Sequence, residues 1–416
     1  MRTFDVVIVG AGIIGLSTAY QLGRRGRCRV LVLEKGRAVG AGSTGASSAV
    51  CRFRYSRDDM VALALDGIST YRDWQSFTEL KSPRASFNHD GVLWLTGEDR
   101  EFAPREAQRM SALGIAAEVL YDDDLAERFP AFSRRVRMPD LETGEDPGGE
   151  EGGVHLFESD GGWIDPVASA EDLLEAARNR GVTVEFSQQV TDIKREGGRV
   201  TGVKTAGGED IACPVVVNAA GPWCTQLSEA AGVTVSWDLV PTRIQVLYLD
   251  RGDSLPGHIP VTADVAGGIY FRTQNNGQQL VVGSVREEDE REAVDDPDHF
   301  QTIHDDEFAY TQLHLLSHRL PGLPQRGRVR GYCGLYTVNR DDVHPVLGET
   351  ELSGFWVANG FSGHGFKIAP AIGAMMADAI DGPLAGGADS FTTAVPLQAF
   401  GVGRDPLILE SRSVLA

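Results

Sequence analysis

The sequence predicts an α/β fold, and 416 residues exceed what one simple core fills, so two domains are expected. Three observations carry that prediction. The chain opens with a strand, a glycine turn, a helix and a strand in direct succession. A helix, a glycine-punctuated meander and an apolar strand occupy the middle. A second strand, glycine turn and helix lie near the end.

The opening set is FDVVIVGAGIIGLSTAYQLGRRGRCRVLVLEKG (4–36). DVVIV is a β-branched run suited to a buried parallel strand. Gly10, Gly12 and Gly15 follow as G-x-G-x-x-G, and a helix carrying Leu16, Ala19, Tyr20 and Leu22 is expected behind them. CRVLVLE (28–34) reads as a second strand ending on Glu34. Gly10 permits the tight turn, Gly12 lets backbone amides approach a pyrophosphate, and Gly15 lets the helix pack on the strand. The helix N-terminus, with Ile13 and Ile14, offers unpaired N–H groups and positive potential to phosphates. Glu34 lies 19 residues beyond Gly15, placed for the ribose hydroxyls of an adenosine, with Lys35 beside it. A carboxylate there disfavours a 2′-phosphate, which leaves FAD or NAD.

The next stretch separates those two. An NAD dehydrogenase would continue with regular βα units, whereas GRAVGAGSTGASSAVCRFRY (36–55) is a long small-residue loop. Such backbone can run closely along an extended phosphate–ribityl–isoalloxazine chain, with Ser43, Thr44 and Ser47 as polar contributions. The apolar and basic residues that follow at once argue against a free linker.

In the middle, GWIDPVASAEDLLEAARNRGVTVEF (162–186) predicts a helix over about 167–180 and then a strand. A meander from Val190 turns at Gly197-Gly198 and Gly207-Gly208 and ends in PVVVNAAGPW (214–223). There Ala219, Ala220 and Gly221 can again bring backbone close to a dinucleotide, with Trp223 beside them. Near the end, GFWVAN (354–359) reads as a strand, NGFSGHGFK (359–367) as a turn, and IAPAIGAMMADAI (368–380) as a small-residue helix. Gly360, Ser362, Gly363, His364, Gly365, Phe366 and Lys367 are thereby set at a helix N-terminus. Backbone donors and the helix dipole at that place would stabilise a reduced, anionic ring.

Composition narrows the partners. A net charge of -20 disfavours nucleic acid and anionic membrane. The acidic stretch REEDEREAVDDPDHF (286–300) reads as a charged, exposed loop. Five cysteines, at 28, 51, 213, 224 and 333, have no metal spacing and cannot all pair, so free thiols, a reducing compartment and no metal are expected. No basic leader precedes the first strand and no apolar run reaches the ~20 residues of a membrane helix, so the expected location is the cytoplasm.

Taken in order, VVIVGAGIIG…LEKG, STGASSAVCRFRY, GWIDP, VVVNAAGPW, GLYT and NGFSGHGFK resemble the D-amino-acid oxidase superfamily of FAD-dependent amine oxidoreductases. The nearest branch in that resemblance holds sarcosine oxidase, glycine oxidase and dimethylglycine dehydrogenase. The resemblance implies a Rossmann-like FAD-binding domain from 1–80, 156–226 and 330–400. It is interleaved with an antiparallel-sheet substrate domain from 81–155 and 227–329, and 401–416 form a tail.

The implied reaction moves a hydride equivalent from the carbon beside an amine nitrogen to flavin. The neutral amine assists, so the protein mainly positions substrate and stabilises charge. Arg52 in R-x-x-Y and Lys367 in G-H-G-F-K match the family's clamp for a substrate carboxylate, and Arg54 is a rival for Arg52. Tyr336 resembles the family's site tyrosine. Tyr270 resembles a second one and reads equally as a core residue. Arg243 and Arg272 are further cations that could face the cavity, with a surface ion-pair role the favoured reading for each.

Three departures shape the expectations. GSTGASSA has no histidine for covalent flavin, and Gly334 stands where sarcosine oxidase has its flavin-linking cysteine, with Cys333 one place off; noncovalent FAD is expected, with Gly334 beside it. Val281 replaces the oxygen-activating lysine, and Val285 a nearby histidine. An acceptor other than oxygen is therefore favoured, because charge developing on oxygen loses stabilisation. Two other readings stay open. One is a 2-hydroxy acid or polyol phosphate dehydrogenase using His364 or His344 as base. The other is a flavoprotein subunit of a larger complex, with the acidic insertion 139–153 as a partner surface or a disordered loop. Oligomeric state is left open.

Overall fold

The computed structural model describes residues 1–146, 148, 152–324, 327–382, 391–409 and 415. A six-stranded sheet runs in the order Val346–Glu349, Phe355–Asn359, Val215–Asn218, Val6–Val9, Val30–Leu33, Thr183–Glu185. Neighbours are parallel except for the antiparallel edge pair Val346–Glu349 and Phe355–Asn359. Strands from the start, middle and end of the chain thus meet in one sheet.

Both faces of this sheet are covered, which is why its strands are continuous apolar runs rather than alternating ones. Val6, Ile8, Val30 and Val32 join the core formed with helices Ile13–Arg25, Pro166–Asn179 and Gly365–Asp381. Val7, Val9, Leu31 and Leu33 join the core on the opposite face. That face carries a four-stranded sheet in the order Arg2–Thr3, Asp210–Ala212, Arg199–Thr205, Val190–Glu196. The GWIDP motif starts the middle helix: Pro166 takes its first position and the Asp165 carboxylate accepts the Ala168 N–H at 2.8 Å.

An eight-stranded sheet is ordered Val329–Asn339, Leu239–Asp250, Gln279–Ser284, Ile269–Gln274, Val261–Asp264, Val92–Leu95, Val154–Glu158, Ala117–Tyr121. It is antiparallel apart from the Val92–Leu95 and Val261–Asp264 pair. Phe271, Leu280 and Val282 pack with Phe308, Leu315 and Leu316 of helix Asp306–Arg319. Strand alternation sends Tyr270, Arg272 and Val281 to the other face. In that register Tyr270 stands opposite Gly283, and Arg272 opposite Val281.

Among the described residues no helix is long and apolar enough to cross a membrane, and no group of His, Cys, Asp and Glu is arranged to hold a metal. The five cysteines are free. The reading of the acidic insertion 139–153 falls partly outside the described residues, at 147 and 149–151, as does most of the tail beyond 409.

Candidate active site

A cavity of about 730 Å³ opens at the carboxyl ends of the parallel strands, where open α/β sheets bind ligands. Its floor is tightly built backbone. Gly10 has φ +109, and a Cβ there would collide with the Ala219 carbonyl; a Cβ on Gly15 would collide with the Gly10 carbonyl. The turn, the helix and the 219–221 crossing are therefore in direct contact.

Side chains fix the loops around that floor. Glu34 accepts the Ala11 N–H at 2.8 Å and the Gly36 N–H at 2.6 Å. A carboxylate offers about four acceptor sites, so capacity remains on the cavity side. Thr44 Oγ1 accepts the Ile13 N–H at 3.0 Å, and Ser43 donates to the Leu335 carbonyl at 2.6 Å, laying the small-residue loop across the helix start. At the far end the Ser362 N–H donates to Thr337 O at 3.0 Å, pinning the NGFSGHGFK turn to strand Val329–Asn339. Asn359 lines the cavity and its buried Oδ1 has no protein donor. A glycine turn at a helix start, an acceptor carboxylate and an unsatisfied buried amide oxygen fit FAD.

The predicted cofactor contacts line this cavity except Gly15, Gly334, His364 and Lys367. Gly15 acts by packing, as above. Gly334 lies against Ala46, leaving no room for a side chain, while its neighbour Cys333 lines the cavity. His364 is fully buried and lines neither cavity. Its N–H closes the turn onto Phe361 O at 2.7 Å, and its ring packs inward, 5.2 Å from Tyr55 and 6.0 Å from His344.

A second cavity, of about 70 Å³, adjoins the first: Ser47, Tyr336, Gly363 and Phe366 line both. Arg52, Lys367, Tyr270 and Tyr336 converge on it. Arg52 is buried, with its guanidinium 4.2 Å over the Tyr55 ring and donating to Arg54 O. Burial pushes the Lys367 amine down to about 7, and the nearby Arg52 charge adds to the fall. Burial likewise raises both phenols. Fully buried Glu158 accepts the Phe53 N–H at 2.7 Å, the Arg54 N–H at 3.0 Å and Trp94 Nε1 at 2.9 Å, so it shapes the R-F-R-Y loop.

The two arginines of that loop diverge. Arg54 does not line the small cavity: its Nε is 3.3 Å from Glu106, and a second nitrogen donates at 2.6 Å to the carbonyl of Leu415, which does line it. Arg243 and Arg272 are both buried, not on the surface. Arg243 does form ion pairs, with Glu292 and Asp305. Arg272 instead stacks 4.0 Å from the Trp163 ring and donates to Ser48 O at 2.7 Å. The acidic stretch 286–300 is mostly exposed, as read, and its Pro297, Asp298 and Phe300 also line the large cavity. Nothing in its composition signals that, since a polar turn sequence does not say what lies beneath it.

Known proteins resemble this chain in sequence and in fold. The chain is 26% identical to FAD-dependent oxidoreductase domain-containing protein 1 of Xenopus laevis, over 90% of this chain and 79% of that one. It is 27% identical to sarcosine oxidase subunit beta of Rhizobium meliloti, over 89% and 82%. L-proline dehydrogenase from P. horikoshii shares the fold, with a TM-score of 0.80 at 22% identity over 96% and 97% of the two chains. The model of the FAD dependent oxidoreductase family matches residues 5–379. With the dinucleotide cradle on one sheet and a cation-lined cavity beside it, the chain belongs to the DAO family of FAD-dependent oxidoreductases.

Proposed function

We propose that this enzyme oxidises the C–N bond of a small amino acid, or of an N-substituted amino acid of the glycine or sarcosine kind, to an imine. One observation carries the reading: two buried cations, Arg52 and Lys367, face one small cavity adjoining the cofactor cavity. An ammonium pushed down by burial gains most when an anion enters, and a guanidinium offers a carboxylate two parallel hydrogen bonds. A volume near 70 Å³ favours a substrate of few heavy atoms. Val92, Val261, Val285 and Phe366 line the same space and exclude water from the reacting carbon. Bound FAD supplies the acceptor for the hydride equivalent.

The hydroxy-acid reading needs a base for the hydroxyl proton. His364 and His344 are buried outside both cavities, with His344 Nδ1 held 2.7 Å from Asp342 O. Noncovalent FAD is supported by Cys333, whose thiol is pushed up by burial and so gives little thiolate for a covalent link. Val281, facing the cofactor side of the sheet, supports an acceptor other than oxygen, and the five free thiols support a reducing compartment. Segments 1–80, 156–226 and 330–400 form the cofactor domain in this reading, and 81–155 and 227–329 the substrate domain, with strand Val329–Asn339 shared between them. A second reading, a flavoprotein subunit of a larger assembly, is supported by the relative named as a subunit.

The test is anaerobic reduction of the enzyme-bound flavin across amino acids, N-alkyl glycines, amines and hydroxy acids. Bleaching is expected with small amino or N-substituted amino acids. Faster bleaching by a hydroxy acid, or by an amine lacking the carboxylate, overturns the proposal.

A further inference from the structure

The acidic stretch 286–300 crosses the cofactor cavity between two anchors on strand Leu239–Asp250. Upstream, the Arg243 N–H donates to Glu292 O and the Val294 N–H to Pro241 O, both at 2.8 Å. Downstream, the buried Arg243 guanidinium donates to Gln301 O at 2.9 Å and Ile303 O at 2.7 Å, and pairs with Asp305 at 2.8 Å. The Cys333 N–H adds a bond to Thr302 O at 2.9 Å.

Between the anchors the chain folds as Asp296-Pro297-Asp298-His299. Asp296 accepts the Asp298 N–H at 2.9 Å and sits 2.7 Å from His299 Nδ1, a side-chain-closed turn with proline presetting its φ. The turn delivers Asp298 to the cavity rim. There its carboxylate accepts Trp223 Nε1 at 3.2 Å and pairs with Lys35, whose ammonium stands 3.8 Å over the Trp223 ring. Lys35 and Trp223 follow the cofactor-sheet strands Val30–Leu33 and Val215–Asn218, so the contact joins the two large sheets. Pro297, Phe300 and Thr302 form cavity wall beneath it.

We infer that residues 295–302 are a strap that retains bound FAD and opens at the clasp of Asp298, Lys35 and Trp223. The inference rests on the family's cofactor and not on the proposed substrate. The anchors use a guanidinium that is 2% exposed, whereas the Lys35 and Asp298 side chains are 30% and 46% exposed. Screened ion pairs of that kind are weak, so the clasp opens before the anchors do.

The experiment is FAD release from purified holoenzyme, followed by recovery of flavin fluorescence on dilution. Asp298→Asn and Trp223→Phe are expected to release FAD about three to ten times faster, the range for losing one exposed ion pair and one cation–π contact. High salt speeds release from the parent enzyme but not from Asp298→Asn. Lys35→Asp releases faster, and the swap Lys35→Asp with Asp298→Lys returns the parent rate, which direct contact between Lys35 and FAD alone would not allow. Glu288→Gln, on the same stretch but outside the clasp, keeps the parent rate. A release rate for Asp298→Asn within about twofold of the parent, or a swap as fast as Lys35→Asp alone, overturns the strap.

Discussion

The two cavities are built by different means. The large one is walled mainly by backbone and small side chains at glycine turns, each turn following a strand of one parallel sheet. The small one is walled by long side chains from distant parts of the chain: Arg52 after the small-residue loop, Tyr270 and Tyr336 on the antiparallel sheet, and Lys367 at a helix start. Backbone recognition tolerates change in side chains and fails when a side chain is added. Side-chain recognition fails when one charge is removed. The two sites should therefore break separately.

The widest effect is expected from Gly10→Val, since every reaction of the enzyme needs the flavin. The residue adopts φ +109, where a branched side chain is strained, and its Cβ would meet the Ala219 carbonyl. Purified protein should carry about a tenth of the parent flavin or less, by absorbance, since strain and the clash together exceed the ~1.4 kcal/mol of a tenfold loss. Normal flavin content would show that the turn does not hold the dinucleotide.

Arg52→Met comes next and should break only the small cavity. Removing one partner of a buried charge contact costs about 2–5 kcal/mol, so kcat/KM on the best carboxylate substrate should fall roughly 30- to 5,000-fold. Flavin content should stay at the parent level, because Arg52 lines only the small cavity. Arg54→Met, which loses contacts to Glu106 and Leu415 instead, should cost less. Reversal of that order would move the clamp to Arg54.

The same contrast explains what was legible in the sequence. Strand, glycine turn and helix are neighbours in sequence, so local pattern sufficed to locate Gly10, Glu34, Ala219 and Gly363 on one cavity. His364 lies outside both cavities: flanking glycines tell where the backbone goes, not which way the ring between them turns, and burial against Tyr55 decides that. Arg243 and Arg272 were misjudged for a related reason. A lone arginine in a strand looks exposed until the register shows what covers it, here the 286–300 stretch and Trp163. Glu158 gave no local signal, since its work is to accept three N–H groups from residues far away in sequence.

The smallest predicted effect concerns Lys367, and its value lies in its sign. The amine titrates near 7 in the folded chain because burial and Arg52 disfavour its charge. Below that pH the ammonium is present and a carboxylate meets two cations. Above it the amine is neutral, and a carboxylate must first recruit a proton. Binding of a small carboxylate without an amine, such as acetate, should therefore be tightest below about pH 7 and weaken up to tenfold per unit as pH rises. A bound anion favours the ammonium, so the complex titrates higher than the free enzyme and the weakening stops at that higher value. Flavin absorbance shifts read the affinity directly. Lys367→Met should bind about tenfold less tightly at pH 6 and show a flat profile, with flavin content unchanged. A parent profile that is flat across pH 6 to 8, or that tightens with rising pH, would remove Lys367 from the clamp and leave Arg52 as its sole cation.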